Sequence, residues 1–375
     1  MTRTGRWTAG IVAVVAVLAV NAYLVGTLGT PPRPAATAAP APGVPLLREV
    51  HLAGQHLSVL VTPQRPGANL VLVGGESGES GGVRVGAAPD TLTAAAARPG
   101  AAGQWAAVDL PPGPGAVWLE FGGERVPVAV DTGHGEPAAP GVAGPDGPEC
   151  ATAALGAALA GHAATFAACP ADSLTAADRT SLRALVAFLA GRGIRALTLD
   201  ADSSTRSAAA AAVVRDAAAR SRVAVTTEAG RDNALVVVSG WATASTTLAA
   251  VAEHQRGTVT FSAGTYLAPW LLSTPVLATT AGAVLPLRFD PRDEEPVRYQ
   301  LAVATRFHGQ YPTASGYQAW LSGGSSGAEP AGTRLYAAAR VTFMPDELAA
   351  GHHHGQANGW LSGGTIVPVT GPLAT

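Results

Sequence analysis

An uncharged apolar run near the amino terminus, Ala9–Leu28, constrains the fold and the cellular location of this chain more than any other feature of the sequence. At about 1.5 Å per residue in a helix, such a run spans the ~30 Å hydrocarbon core of a bilayer. Arg3 and Arg6 precede it, and less positive charge follows directly after it. Because positive charge is retained on the cytoplasmic side, the sequence predicts a cytoplasmic segment over 1–8 and a transmembrane signal anchor over 9–29.

A cleaved secretory signal is the alternative interpretation of the same run, since it shares the charged start and the apolar centre. Ala36-Thr37-Ala38 would then provide the small-residue cleavage site. Both interpretations place everything after the run outside the cytoplasm. The predicted location is therefore the cell membrane, single-pass, with the carboxyl-terminal bulk extracytoplasmic.

The charge balance argues against nucleic acid as a partner. The chain has 24 basic and 26 acidic residues, a net charge of −2, and no lysine. Phosphate backbones are bound by clustered cations, and this sequence has no basic stripe. The sequence also contains no recognisable catalytic constellation and no cofactor motif, so we expect a non-catalytic protein without a cofactor.

Two cysteines, Cys150 and Cys169, lie in the predicted extracytoplasmic part. An even number of cysteines in an oxidising compartment indicates a disulfide, so we expect these two to pair. A redox or metal-binding thiol pair is the alternative, but the chain has no Cys-x-x-Cys motif.

The first folded region is predicted to be an antiparallel β-sandwich over 45–131, preceded by a Pro/Ala stalk over 30–44. Short apolar runs rich in valine and tryptophan are separated here by Pro-Gly and Gly-Gly turns, which is typical of such sandwiches. The predicted strands lie at His56–Val61, Asn69–Val73, Val83–Val85, Gln104–Val108, Val117–Phe121 and Val126–Val130.

This region resembles the immunoglobulin-like domains of the YtkA and copper-resistance families. The resemblance rests on a Pro-x-x-Pro-Gly-x-Asn turn from Pro63 to Asn69, on Leu110-Pro111-Pro112-Gly113, and on the late Trp118-Leu119. It implies an immunoglobulin-like fold for this domain.

After a Gly/Pro linker over 132–149, the pattern changes to apolar strands alternating with helices. Such alternation indicates a three-layer α/β domain with a mainly parallel sheet, here over 150–375. Helices are predicted at 150–163, from a cap at Thr175, near 205–220 and at 243–255, and strands at 194–199, 223–227, 234–238, 258–261 and 284–287.

The α/β region resembles one lobe of the type I periplasmic solute-binding proteins. The segments that carry the resemblance are Gly191–Asp200, Ala234–Trp241, Phe307–Thr313 and Gly316–Trp320. The resemblance implies solute binding. That family closes two lobes on a ligand, whereas this chain has room for one lobe, which favours a repurposed single lobe.

The candidate ligand-binding residues follow from the predicted sheet. Ligands of such sheets bind outside the carboxyl ends of the strands, so polar and aromatic residues that follow strands are expected to form a small-molecule rim. These residues are Asp200, Asp202, Ser203, Ser239, Trp241, Ser262 and Tyr266. Helix capping is the alternative role for the aspartates and serines.

A run of three histidines, His352, His353 and His354, is the candidate metal site. Imidazoles bind copper, zinc or nickel, although neighbouring side chains rarely converge on one ion, and a solvated loop is the alternative. The sequence thus predicts a membrane-anchored extracytoplasmic binding or scaffolding protein for a small polar solute or a partner protein, with copper or zinc handling as the alternative function.

Overall fold

The computed structural model describes residues 40–75, 82–162, 168–322, 332–340 and 359–374, and from Pro40 onward these belong to one compact unit. The predicted anchor over 9–29 lies outside these residues. Within the described ranges, the structure has no helix of the length and apolarity needed to cross a membrane.

Two antiparallel sheets form the amino-terminal part of the described chain. Sheet I has the order β1-β2-β3-β6 and sheet II the order β5-β4-β7-β8. The strands are β1 Leu46–Leu52, β2 Gln55–Thr62, β3 Gly67–Gly75, β4 Arg84–Gly86, β5 Thr93–Ala94, β6 Gln104–Leu110, β7 Pro114–Phe121 and β8 Glu124–Asp131. The predicted strands are thereby confirmed, and β1 and β5 are additions that the sequence pattern missed.

The central strands β2 and β3 of sheet I are buried on both faces, which explains why they are almost continuously apolar. Successive side chains of a strand point to opposite faces. Val59 and Val71 enter the core shared with sheet II, whereas Leu60 and Leu70 enter the core of the α/β part. The immunoglobulin-like assignment and the domain boundaries stay predictions.

The Pro-x-x-Pro-Gly-x-Asn turn is held by the fully buried side chain of Asn69. Its Oδ1 accepts hydrogen bonds from the backbone N–H of Gln64 (2.8 Å) and Arg65 (3.3 Å). Its Nδ2 donates to the carbonyl oxygens of Arg65 (2.7 Å) and Gly67 (2.8 Å). The side-chain amide of Asn69 thus provides hydrogen-bond partners for backbone N–H groups and carbonyl oxygens of the same turn.

We expect Asn69→Ala to lower the free energy of unfolding by about 2 kcal/mol, because it leaves buried backbone groups of the turn without partners. Asn69→Asp keeps the acceptor oxygen but sets a buried carboxylate oxygen against the carbonyl oxygens of Arg65 and Gly67, so it should lower stability to urea at least as much as Asn69→Ala. An Asn69→Ala variant as stable as the wild type would contradict this role.

The third sheet of the described residues has seven strands in the order β10-β9-β11-β12-β13-β14-β15. Its first five strands are parallel, and β14 and β15 are antiparallel additions. They are β9 Ala196–Asp200, β10 Ala224–Thr226, β11 Ala234–Val237, β12 Thr265–Leu267, β13 Gly282–Leu287, β14 Arg334–Arg340 and β15 Gly364–Pro368. The structure thus confirms the prediction of an α/β region with a mainly parallel sheet.

Seven α-helices are found in the described part of the chain. They are α1 Gly147–Leu159, α2 Ala176–Gly191, α3 Thr205–Arg220, α4 Trp241–Gln255, α5 Thr274–Leu277, α6 Glu294–Arg306 and α7 Ala314–Ser322. Thr175 caps α2 as predicted, because its Oγ1 accepts a hydrogen bond from Asp178 N (3.0 Å). The predicted disulfide is also present and joins Cys150 in α1 to Cys169, with Cα atoms 4.9 Å apart.

The predicted strand at 258–261 is wrong. These residues form no strand, and Val259 is 62% exposed. The strand of this part of the sheet is β12, which begins after Gly264, at a φ of 101°. A four-residue run of β-branched and aromatic residues does not distinguish a strand from a loop that buries one large side chain, here Phe261.

Candidate functional site

The order of the parallel strands reverses between β9 and β11. From β9 the chain passes through α3 to β10 on one side, and from β11 it passes through α4 to β12 on the other. Right-handed crossovers in opposite directions place α3 and α4 on opposite faces of the sheet. The carboxyl ends of β9 and β11 therefore flank a topological switch point, where α/β sheets bind ligands.

Asp200 and Ser239 meet at this switch point, as the sequence predicted. Ser239 Oγ donates to Asp200 Oδ2 (2.6 Å), and Thr247 Oγ1 on α4 donates to Asp200 Oδ1 (2.9 Å). Asp200 thereby joins the ends of two neighbouring strands to the helix above them.

Asp202 links the N-cap residues of both crossover helices. It accepts hydrogen bonds from Gly240 N (2.7 Å) at the start of α4 and from Ser204 N (3.0 Å) at the start of α3. Burial by itself would raise the pKa of Asp202, but the hydrogen bonds from Ser204 and Gly240 outweigh it and hold the pKa below its ordinary value. Asp202 is therefore an ionised acceptor that holds the starts of α3 and α4 together, and the side-chain cap of α3 is Ser204.

Trp241 does not form an exposed wall of the rim, since it is 2% exposed. Its Nε1 donates to Trp270 O (2.9 Å), and Trp270 Nε1 donates to Ser239 O (3.0 Å). Gly100 of the β-sandwich packs directly against the backbone of Trp241, with no room for a Cβ. This part of the carboxyl edge is therefore covered by the chain itself.

Ser262 and Tyr266 are not brought to the carboxyl edge. Ser262 precedes β12, and Tyr266 lies within it, opposite Val236 in register. The Tyr266 hydroxyl donates back to Ala263 O (3.2 Å), before the strand begins. The prediction for these two residues depended on a strand at 258–261, and the later start of β12 moves them toward the opposite end.

The open part of the switch point is a cleft of about 290 Å³, which we call the edge cleft. It is lined by Pro145, Asp146, Asp202, Ser203, Ser204, Gly240, Ala242 and Thr243. The helices α1, α3 and α4 all begin here, at the caps Asp146, Ser204 and Gly240. Their first-turn amides and dipoles give the cleft positive partial charge beside its two carboxylates.

Asp146 is a site residue that the sequence analysis missed, because it lies in the predicted linker. A Cβ placed on Gly240 would lie 2.4 Å from Asp146 Oδ1 and 3.3 Å from Asp202 Oδ2, so both carboxylates border this glycine. The Asp146 carboxylate makes no capping bond to α1. Burial, followed by the negative charge of Glu149, raises its pKa. The sequence signal was Asp-Gly-Pro-Glu, an N-cap followed by proline.

A buried ion pair lies behind the edge cleft and was also missed. Arg206 on α3 binds Glu149 on α1 with both guanidinium nitrogens (2.7 and 2.5 Å), and both side chains are almost fully buried. Ser315 donates to the same carboxylate, and the guanidinium lies 4.5 Å from the Trp270 ring centroid. The sequence feature that could have indicated this ion pair is an arginine on the buried face of α3, at helical spacing from Ala210 and Val213.

The three histidines of the candidate metal site, 352–354, lie outside the described residues. Among the residues that the structure does describe, no group of three or more His, Cys, Asp or Glu side chains could hold a metal ion.

No family model matches this chain, and no curated protein matches it. Similar solved structures include an ABC transporter substrate-binding protein from Desulfitobacterium hafniense in complex with Leu, with 16% identity and a TM-score of 0.27. That match covers 38% of this chain and 47% of the other. An extracellular ligand-binding receptor from Verminephrobacter eiseniae shares 14% identity over 39% of this chain and 48% of its own, with a TM-score of 0.30.

The chain thus spans about half the length of these structures. TM-scores this low carry no information about where or what this chain binds.

Proposed function

We propose that this protein is a non-catalytic, membrane-anchored binding protein on the outer side of the cell membrane. Its ligand would be a small polar solute with an ammonium group, held in the edge cleft. The observation that carries the proposal is the pair of carboxylates, Asp146 and Asp202, at a switch-point cleft where α1, α3 and α4 begin. The apolar run at 9–29 and the disulfide support the extracytoplasmic location.

The two carboxylates would have different roles toward such a solute. Asp202 is engaged by Gly240 and Ser204, so it contributes fixed negative charge. Asp146 has no capping bond and is half-buried, so a cation next to it would offset the cost of burying its charge.

The cleft also offers hydrogen-bond donors beside its two carboxylates. The Ser203 side chain is exposed there, and the first-turn amides of α3 and α4 have no acceptor within their helices. Helix amino termini bind carboxylates by the same backbone groups that bind phosphate. An amino acid therefore offers both a cation for the carboxylates and acceptor oxygens for these donors.

Calorimetric titration of the purified full-length protein with amino acids and small amines tests this proposal. We expect Asp146→Asn to weaken binding by about 10-fold, as loss of a charge-assisted contact does. Asp216→Asn, on the exposed surface of α3, is the matched control and should leave affinity unchanged. Absence of binding by every solute in the panel would overturn the proposal.

The pH dependence provides a second readout of the same experiment. An ammonium group binds the ionised form of Asp146, so protonation competes with the solute. Because the pKa of Asp146 is raised from 3.8, affinity should fall with decreasing pH at a higher pH than an ordinary aspartate would produce. This pH dependence should disappear in Asp146→Asn.

A further inference from the structure

A second cavity lies on the α4 face of the sheet and shares no lining residue with the edge cleft. Its volume is about 440 Å³, within the range of roughly 300–1,000 Å³ that small-molecule sites occupy. It lies between β9, α4 and residues 227–229, and we call it the trough. Leu199, Leu235 and Phe261 are among its buried lining residues.

The topology explains why this space is open. The connection from β10 to β11 returns across β9 as a short segment, 227–233, which contains no helix. Because it runs in the same direction across the sheet as the β11-to-β12 crossover, it lies on the same face as α4. Thr198 Oγ1 holds this segment through Glu228 O (2.8 Å). A narrow loop therefore covers β9. In a regular crossover a helix would lie there and fill the space beside α4.

The trough has one charged end. Asp200 lines it, and in the described part of the chain the hydrogen-bond partners of this carboxylate are the hydroxyls of Ser239 and Thr247 rather than a cation. Each oxygen accepts one of these bonds and keeps acceptor capacity for another. His254 lies at the other end, two helical turns from Thr247, so the trough is roughly 10 Å long.

We infer that the trough binds a small primary amine with an apolar body. The ammonium group would lie against Asp200, and the hydrocarbon would cover Leu199, Leu235 and Val251. The class of ligand follows from charge and surface together. A carboxylate at the end of an apolar cavity attracts a cation, and apolar walls favour a ligand that buries hydrocarbon. This site does not depend on the solute proposed for the edge cleft.

The probe for this inference is 2-phenylethylamine, titrated into the full-length protein and observed by ligand NMR and calorimetry. Its neutral and anionic analogues, 2-phenylethanol and 3-phenylpropionate, are the matched ligands. We expect the alcohol to bind at least 10-fold more weakly than the amine and the acid not to bind. Equal affinity of all three ligands, or no binding of the amine, would overturn the inference.

Two substitutions on neighbouring exposed positions of α4 locate the site. Ala250 lines the trough, and Ala249 does not. Ala250→Trp should lower amine affinity at least 10-fold, whereas Ala249→Trp should leave it unchanged. Equal effects of the two variants would contradict the inference. Asp146→Asn should not affect the amine, so failure of this site and failure of the edge cleft are distinguishable.

Discussion

Arg206→Met should lower the free energy of unfolding by about 3–5 kcal/mol, the cost of leaving a buried charge without its partner. The Glu149 carboxylate is 0% exposed, so water cannot replace the guanidinium. Burial alone lowers the pKa of Arg206, but the charge and hydrogen bonds of Glu149, together with the charges of Asp146 and Asp178, outweigh it and raise the pKa, which keeps the guanidinium charged. Urea unfolding monitored by circular dichroism measures the effect.

Two further variants distinguish the stability lost with the ion pair from stability lost through general disruption of the core. The double variant Glu149→Gln with Arg206→Met removes both charges and keeps an acceptor for Ser315, so it should recover much of the lost stability. Arg220→Met removes an exposed pair with Asp216 and should cost no more than about 0.5 kcal/mol. Equal losses for Arg206→Met and Arg220→Met would show that the buried pair has no special role.

Gly156→Ala should lower stability by about 3 kcal/mol although it adds one carbon atom to a helix. Gly156 of α1 faces Gly316 of α7, and a Cβ there would lie 2.0 Å from Gly316 O. The obstacle is backbone, which cannot rotate away as a side chain can. The two helices would have to separate, and the contacts along α1 and α7 would be lost.

The matched control is the same substitution in α2. A Cβ on Gly191 meets no atom within 4 Å, so Gly191→Ala should be neutral or stabilising by about 0.5 kcal/mol through helix propensity. Thermal unfolding of both variants measures the difference. If Gly156→Ala were as stable as Gly191→Ala, the close approach of α1 and α7 would be wrong.

Local patterns in the sequence were sufficient for some parts of the site. The apolar runs that become β9 and β11 are bounded by Gly193 before the first and by Ser239 and Gly240 after the second. Their carboxyl ends, and with them Asp200, Asp202 and Ser239, could therefore be assigned to one edge. The disulfide was predictable because only one pairing of two cysteines exists.

Other parts of the site depend on contacts between distant residues. Glu149 and Arg206 are 57 positions apart and meet only because α1 and α3 pack together. Asp146 was assigned to a linker because its neighbours are glycine and proline, and its role depends on Gly240 being close. Trp241 follows a strand as expected, but Gly100 of the sandwich and Trp270 cover it.

The amino-acid sequence by itself determined most strands of the two amino-terminal sheets, the succession from α1 through β9 and β11 to α4, the mainly parallel sheet and the disulfide, because hydrophobic periodicity, turn residues and caps act over a few neighbouring positions. Only the tertiary structure decided which edge residues stay open, because that depends on what packs over them. It also created the trough beside α4, whose space results from the path of one short connection across β9.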